Sequence, residues 1–143
     1  MLKSFYAAAV YTLLGLGAGL FYREYTKAHD FTGESQLSVL HTHLLALGTL
    51  FFLIVLVLDK AFAISGTKMF AWFFWVYNGG LLLTIVMMVV HGVRTVGGSG
   101  ESPALDGISG LGHIILTVAF VLFFLALRRP VVAAVQARAV KTD

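Results

Sequence analysis

Four long apolar runs separated by short polar connectors account for nearly the whole chain: roughly Ser4 to Tyr22, Leu37 to Leu58, Phe70 to His91 and Ile108 to Leu127. Each comes close to the ~20 helical residues that a bilayer core about 30 Å thick requires. Charges gather between the runs, in Arg23 to Gln36, in the turn Asp59 to Lys68, and in the Gly/Ser-rich Val96 to Gly107 with Pro103. The pattern predicts an all-α fold: an integral membrane four-helix bundle forming a single domain over residues 1–143, with no repeat at a fixed period. Val131 to Asp143, after Pro130, reads as a short amphipathic extension on the membrane surface. The first run follows Lys3 as a signal peptide would, but it lacks an A-x-A-like cleavage site and is expected to be a permanent span.

Composition narrows the class. A chain that is 59% hydrophobic and 12% charged cannot wrap itself in a polar surface, which excludes a soluble enzyme, a disordered segment and a nucleic-acid-binding domain. It is expected to partner a lipid bilayer. Zero cysteines exclude disulfides, thiolate metal sites, iron-sulfur clusters and covalent haem attachment, so metal chemistry falls to histidine. Lys3, Lys60, Lys68, Arg128, Arg129, Arg138 and Lys141 lie on one side of the four spans, against Arg23, Lys27 and Arg94 among acidic residues on the other. Retention of Lys and Arg inside predicts that both termini are cytoplasmic.

This topology carries His29, His41, His43, His91 and His113 to the outer side. His41 and His43 open the second span, His91 closes the third and His113 opens the fourth, so four imidazoles share one layer while the inner half of the bundle has none. Ionisable groups inside spans are costly and mark functional sites, although each ring could equally sit among headgroups or satisfy a neighbouring carbonyl. Residues two apart on a helix point ~200° away from each other, so His41 and His43 cannot grip one ion from one face. Two opposed imidazoles suit two separate cofactor pockets, and haem takes one axial ligand from each side of its ring.

Leu40-His41-Thr42-His43-Leu44-Leu45-Ala46-Leu47-Gly48 resembles helix segments of the catalytic subunit of the haem-copper oxidase superfamily, including C-type oxidases and nitric-oxide reductases. His41-Thr42 matches the L-H-T-N histidine that ligates the low-spin haem, and His41, His43 and Ala46-Leu47-Gly48 match H-x-H followed by A-L-G, whose histidines bind two different haems. That subunit is three pseudo-symmetric arcs of four helices. This chain is similar to one arc, and to small four-span bacterial membrane proteins without an assigned activity. The resemblance implies a homotrimer in a bacterial inner membrane, with b-type haem (haem b) held between His41 of one protomer and His43 of its neighbour. It also implies electron transfer rather than oxygen or nitric-oxide reduction, because no His-Pro motif, second copper-ligand cluster or active-site tyrosine matches. The redox partner would be a quinol, a soluble cytochrome or another membrane subunit.

Other residues join the candidate site with alternatives open. His91 and His113 could be second haem ligands, a copper or other metal site, or partners of haem propionates. Arg94, a turn beyond His91, and Arg23 could pair with propionates or snorkel to the interface. Gly48, a little over a turn from His43, could open a notch for a flat macrocycle, as could Gly79-Gly80, Gly110 and Gly112, or these could serve helix packing. Gly15 and Gly19 form a G-x-x-x-G pair that lets backbones approach. Asn78 must find a partner within the bundle or a water. The aromatic run Phe70 to Tyr77 reads as an interfacial belt. Competing function classes are a histidine-based copper or divalent-metal carrier and a non-redox membrane scaffold.

Overall fold

The computed structural model of the chain describes residues 1–99 and 103–140. Gly100 to Ser102 and Lys141 to Asp143, within the third connector and the terminal extension, lie outside the described residues. Four helices form: α1 (Leu2–Ala28), α2 (Leu37–Phe62), α3 (Lys68–Val96) and α4 (Pro103–Ala139). All four are long and apolar enough to cross a membrane. They run past the predicted limits at most ends, because the charged residues flanking each run are good helix formers and nothing there breaks the backbone. α4 continues through Pro130 to Ala139.

The stops are local. α2 ends where Ala63 takes a left-handed conformation at φ 51°, and α3 is capped by Thr67, whose hydroxyl accepts the Phe70 amide at 3.1 Å. Asp59 helps to hold this turn: its Oδ1 accepts the Ser65 amide at 2.7 Å and its Oδ2 lies 2.8 Å from the Met1 amino group. The sequence assigns Asp59 to a connector, whereas the structure places it inside α2 and 2% exposed. One carboxylate is therefore buried at the end of the bundle away from the histidines.

α1 packs along α2, α2 packs against α3, and α3 pairs extensively with α4. Small residues set the close approaches. A methyl on Gly15 would meet Leu45 at 2.8 Å, one on Gly92 would meet Leu37 at 2.5 Å, and one on Gly80 would meet Ile115 at 2.9 Å. The G-x-x-x-G face of α1 thus lies on α2. The aromatic run of α3 divides: Trp72 and Trp75 face outward, while Phe70, Phe73, Phe74 and Tyr77 are buried with Phe51, Phe52, Phe120 and Phe123 in a cluster of edge-on and stacked rings. The expectation of a belt gives way to a core, because rings that reach neighbouring helices gain packing that lipid does not provide.

α2 is not a uniform α-helix. Leu37–His43 is α-helical, Leu44–Leu50 winds as a π-helix, and Phe51–Phe62 returns to α. Tyr77 donates its hydroxyl to the Leu47 carbonyl at 2.9 Å, and Thr12 and Thr49 hydroxyls share a hydrogen bond of 3.0 Å. Tyr11 lies directly against Gly48. The wide turn is thereby clamped from α1 and α3, immediately below the two histidines.

Candidate functional site

Histidines of α2, α3 and α4 lie toward the end of the bundle away from Asp59, where His43 and His113 share one space. The cross-contacts fix the level: Gly92 abuts Leu37, Ser35 donates to the Gly92 carbonyl at 3.1 Å, and Gly112 abuts Thr84. His41 and His43 face opposite ways, as two residues of α-helix require. Cβ of His41 is the nearest atom to the open side of Gly19, so this ring belongs to the α1–α2 side. Its Nδ1 is buried and has no hydrogen-bond partner among the described residues, and its Nε2 lies 3.4 Å from the Thr42 hydroxyl.

His43 turns the other way, into a cavity of about 250 Å³ among α2, α3 and α4, lined in part by Met87, Met88, Thr84 and His113. Its Nδ1 lies 2.9 Å from the Val39 carbonyl. A carbonyl only accepts, so Nδ1 carries a proton, and in the neutral ring Nε2 keeps a lone pair for another partner. The His113 Nδ1 makes a longer approach of 3.4 Å to the Ser109 carbonyl. Two imidazoles and two buried thioethers therefore surround one space.

His91 is committed differently. Its side chain is 12% exposed, and its Nε2 lies 3.1 Å from the Ser109 hydroxyl and 3.7 Å from Asp106 Oδ1, so it ties α3 to α4. Among the described residues no group of three or more His, Cys, Asp or Glu side chains is placed to hold a metal ion. His29 is exposed, with Nδ1 2.9 Å from the Tyr25 carbonyl. Arg23 is exposed next to Glu24, whose Oε1 lies 3.7 Å from its Nε, one turn beyond Gly19 and hence above His41. Arg94 is exposed near the same end of α3.

A family model described as "Protein of unknown function (DUF2871)" matches residues 1–130, taking in all five histidines and the four spans nearly to their end. The chain belongs to the DUF2871 family. No curated protein and no solved structure matches it.

The notches read from sequence fare unequally. Tyr11 fills the one at Gly48, Ile115 the one at Gly80 and Thr84 the one at Gly112, so none of these has room for a macrocycle. Gly79 and Gly110 stay open. Asn78 finds its partner within the bundle: Tyr11 donates to its Oδ1 at 2.9 Å, and its Nδ2 donates to the Phe74 carbonyl at 2.7 Å. Met87 and Met88 went unnoticed in the sequence, where thioethers inside an apolar run look like packing. Their position three to four residues before His91, on the same helix face, is the signal that could have found them.

Proposed function

We propose that this chain is a membrane b-type haem protein that relays electrons, with His41 and His43 as axial ligands of haems seated between copies. The observation that carries this reading is the opposed pair. One imidazole lies beside Gly19 with a buried nitrogen that has no partner among the described residues, and the other lines the α2–α3–α4 cavity with its Nδ1 tied down and its Nε2 available. Anchoring of the remote nitrogen by a backbone carbonyl is the usual support of an iron- or metal-ligating histidine, because it fixes both tautomer and ring orientation.

The donors fit haem; the enclosure is incomplete in one chain. The cavity at His43, about 250 Å³, falls below the roughly 300–1,000 Å³ of ordinary ligand pockets, so a second wall would have to come from a neighbouring copy. A homotrimer in which His41 of one protomer faces His43 of the next would supply it. When bound, haem held by two imidazoles supplies a one-electron couple without an open coordination position. The chain's own part is to orient the ligands, to exclude water with apolar walls, and to offer Arg23 and Arg94 to the propionates. The bias of Lys and Arg across the connectors supports cytoplasmic termini, which would turn the histidine end outward from a bacterial inner membrane.

The deciding experiment is the optical spectrum of detergent-purified protein from haem-replete cells. Reduction should bring up sharp α and β bands, and His41→Ala and His43→Ala should each at least halve the haem bound per chain. A colourless preparation, or unchanged haem in both variants, refutes the reading.

A second reading has its own observation: His43, His113, Met87 and Met88 share a cavity within a single chain. Imidazole with thioether selects a soft ion, above all copper(I). Under this reading Met87→Leu and His113→Ala lower copper content, measured by mass spectrometry of the metal. Under the haem reading both variants keep their haem.

A further inference from the structure

A second open space lies below the histidines. A groove of about 670 Å³ runs between α1 and α3, from Lys3 past Tyr11 to Leu14 on one wall and from Phe74 to Leu82 on the other. Lys3 to Leu14 spans ~16 Å of helix, so the mean cross-section is about 40 Å². A flat ring or a hydrocarbon chain fits.

The polar groups of the groove stand in its middle. Tyr11 and Asn78 face each other across it, and an asparagine amide has two N–H donors. One is spent on the Phe74 carbonyl; the other has no protein partner among the described residues. An amide proton left unmade at mid-bilayer depth is costly, and it calls for an acceptor carried by something that dissolves there. A phospholipid headgroup stays at the interface. Phe74 and Trp75 line the same stretch, and nothing lies within 4 Å of a methyl added to Gly79, so an aromatic-walled flat platform adjoins the amide.

We propose that this groove binds a quinone or quinol, its carbonyl or hydroxyl oxygen on the Asn78 amide, its ring over Gly79 and its isoprenoid tail along the apolar walls. The choice of quinone among carbonyl-bearing lipids rests on the redox function proposed above. Tyr11, which packs on Gly48, puts the head roughly 7 to 11 Å of helical rise from His43 and His41.

The chain has two tryptophans, and only Trp75 lines the groove, so Trp72→Phe leaves a single reporter. Decylubiquinone titrated into this variant in nanodiscs should quench its fluorescence saturably. Asn78→Leu should weaken binding at least tenfold. A methyl added at position 79 meets nothing within 4 Å, so Gly79→Leu builds into the open groove, and it should abolish saturation while helicity and melting temperature stay unchanged. Quenching that rises linearly without saturating overturns the proposal, as does affinity untouched by either substitution or displacement of the quinone by phosphatidylglycerol at equal concentration. The readout contains no haem. Retained binding with no haem bands sinks the function reading alone, and haem bands with unsaturable quenching sink this one alone.

Discussion

Gly48 and Tyr77 illustrate how much single side chains decide in this bundle. Tyr11 occupies the space a side chain at position 48 would need, so Gly48→Leu forces overpacking that should cost ~1–3 kcal/mol, against no more than about 0.5 kcal/mol for Gly17→Ala, whose added methyl meets nothing within 4 Å. Tyr77→Phe removes the donor to the Leu47 carbonyl and should cost about 1 kcal/mol. Denaturation of the detergent-solubilised variants measures both, and an undamaged Gly48→Leu would mean that α1 does not lie where it is placed. Residue chemistry was partly legible in the sequence. The opposed directions of His41 and His43 follow from helix geometry alone, and the need of Asn78 for an internal partner follows from burial. The identity of that partner does not, because Tyr11 is 67 residues away and nothing local ties the two.

Among elements, the number of the helices could be read directly, since only an unbroken apolar run of span length satisfies its backbone in lipid, whereas their ends, which run on into the charged flanks, could not. The π-helical stretch Leu44–Leu50 could not. Its i→i+5 bonding inserts one residue into the helical repeat and turns everything beyond it by about 100°, so a uniform 3.6-residue projection from the histidines assigns wrong faces to the rest of α2. The cause is tertiary, in Tyr11, Tyr77 and Thr12, and leaves no periodic trace. Nor could the aromatic run of α3 be divided in advance, because lipid and protein core are equally apolar and hydropathy does not distinguish them. Deleting Leu47 should let the segment relax to α-helix and rotate the histidine end relative to the lower half. The absence of cysteine makes this easy to follow with single-cysteine variants. Thr42→Cys, exposed, should react with maleimide while Leu40→Cys, buried, resists, and the deletion should exchange or blur that contrast. Unchanged labelling would mean that the π turn does not set the orientation.

For the whole molecule, the same labelling tests sidedness. A membrane-impermeant maleimide should modify Glu34→Cys in intact cells and leave Ser65→Cys untouched, the reverse pattern contradicting the charge bias. Native mass spectrometry should find three chains together if histidines of neighbouring protomers face each other; a monomer that retains its full haem would remove the need for the trimer. Only 28% of the residues in the most apolar stretch of α1, α2 and α4 are buried within the chain, and 39% in α3. Most of each helix is thus finished by whatever surrounds it. Lipids, detergents or sister subunits are therefore building materials of this protein more than its solvent, and exchanging one detergent for another should shift its melting point as strongly as a core mutation would in a water-soluble domain.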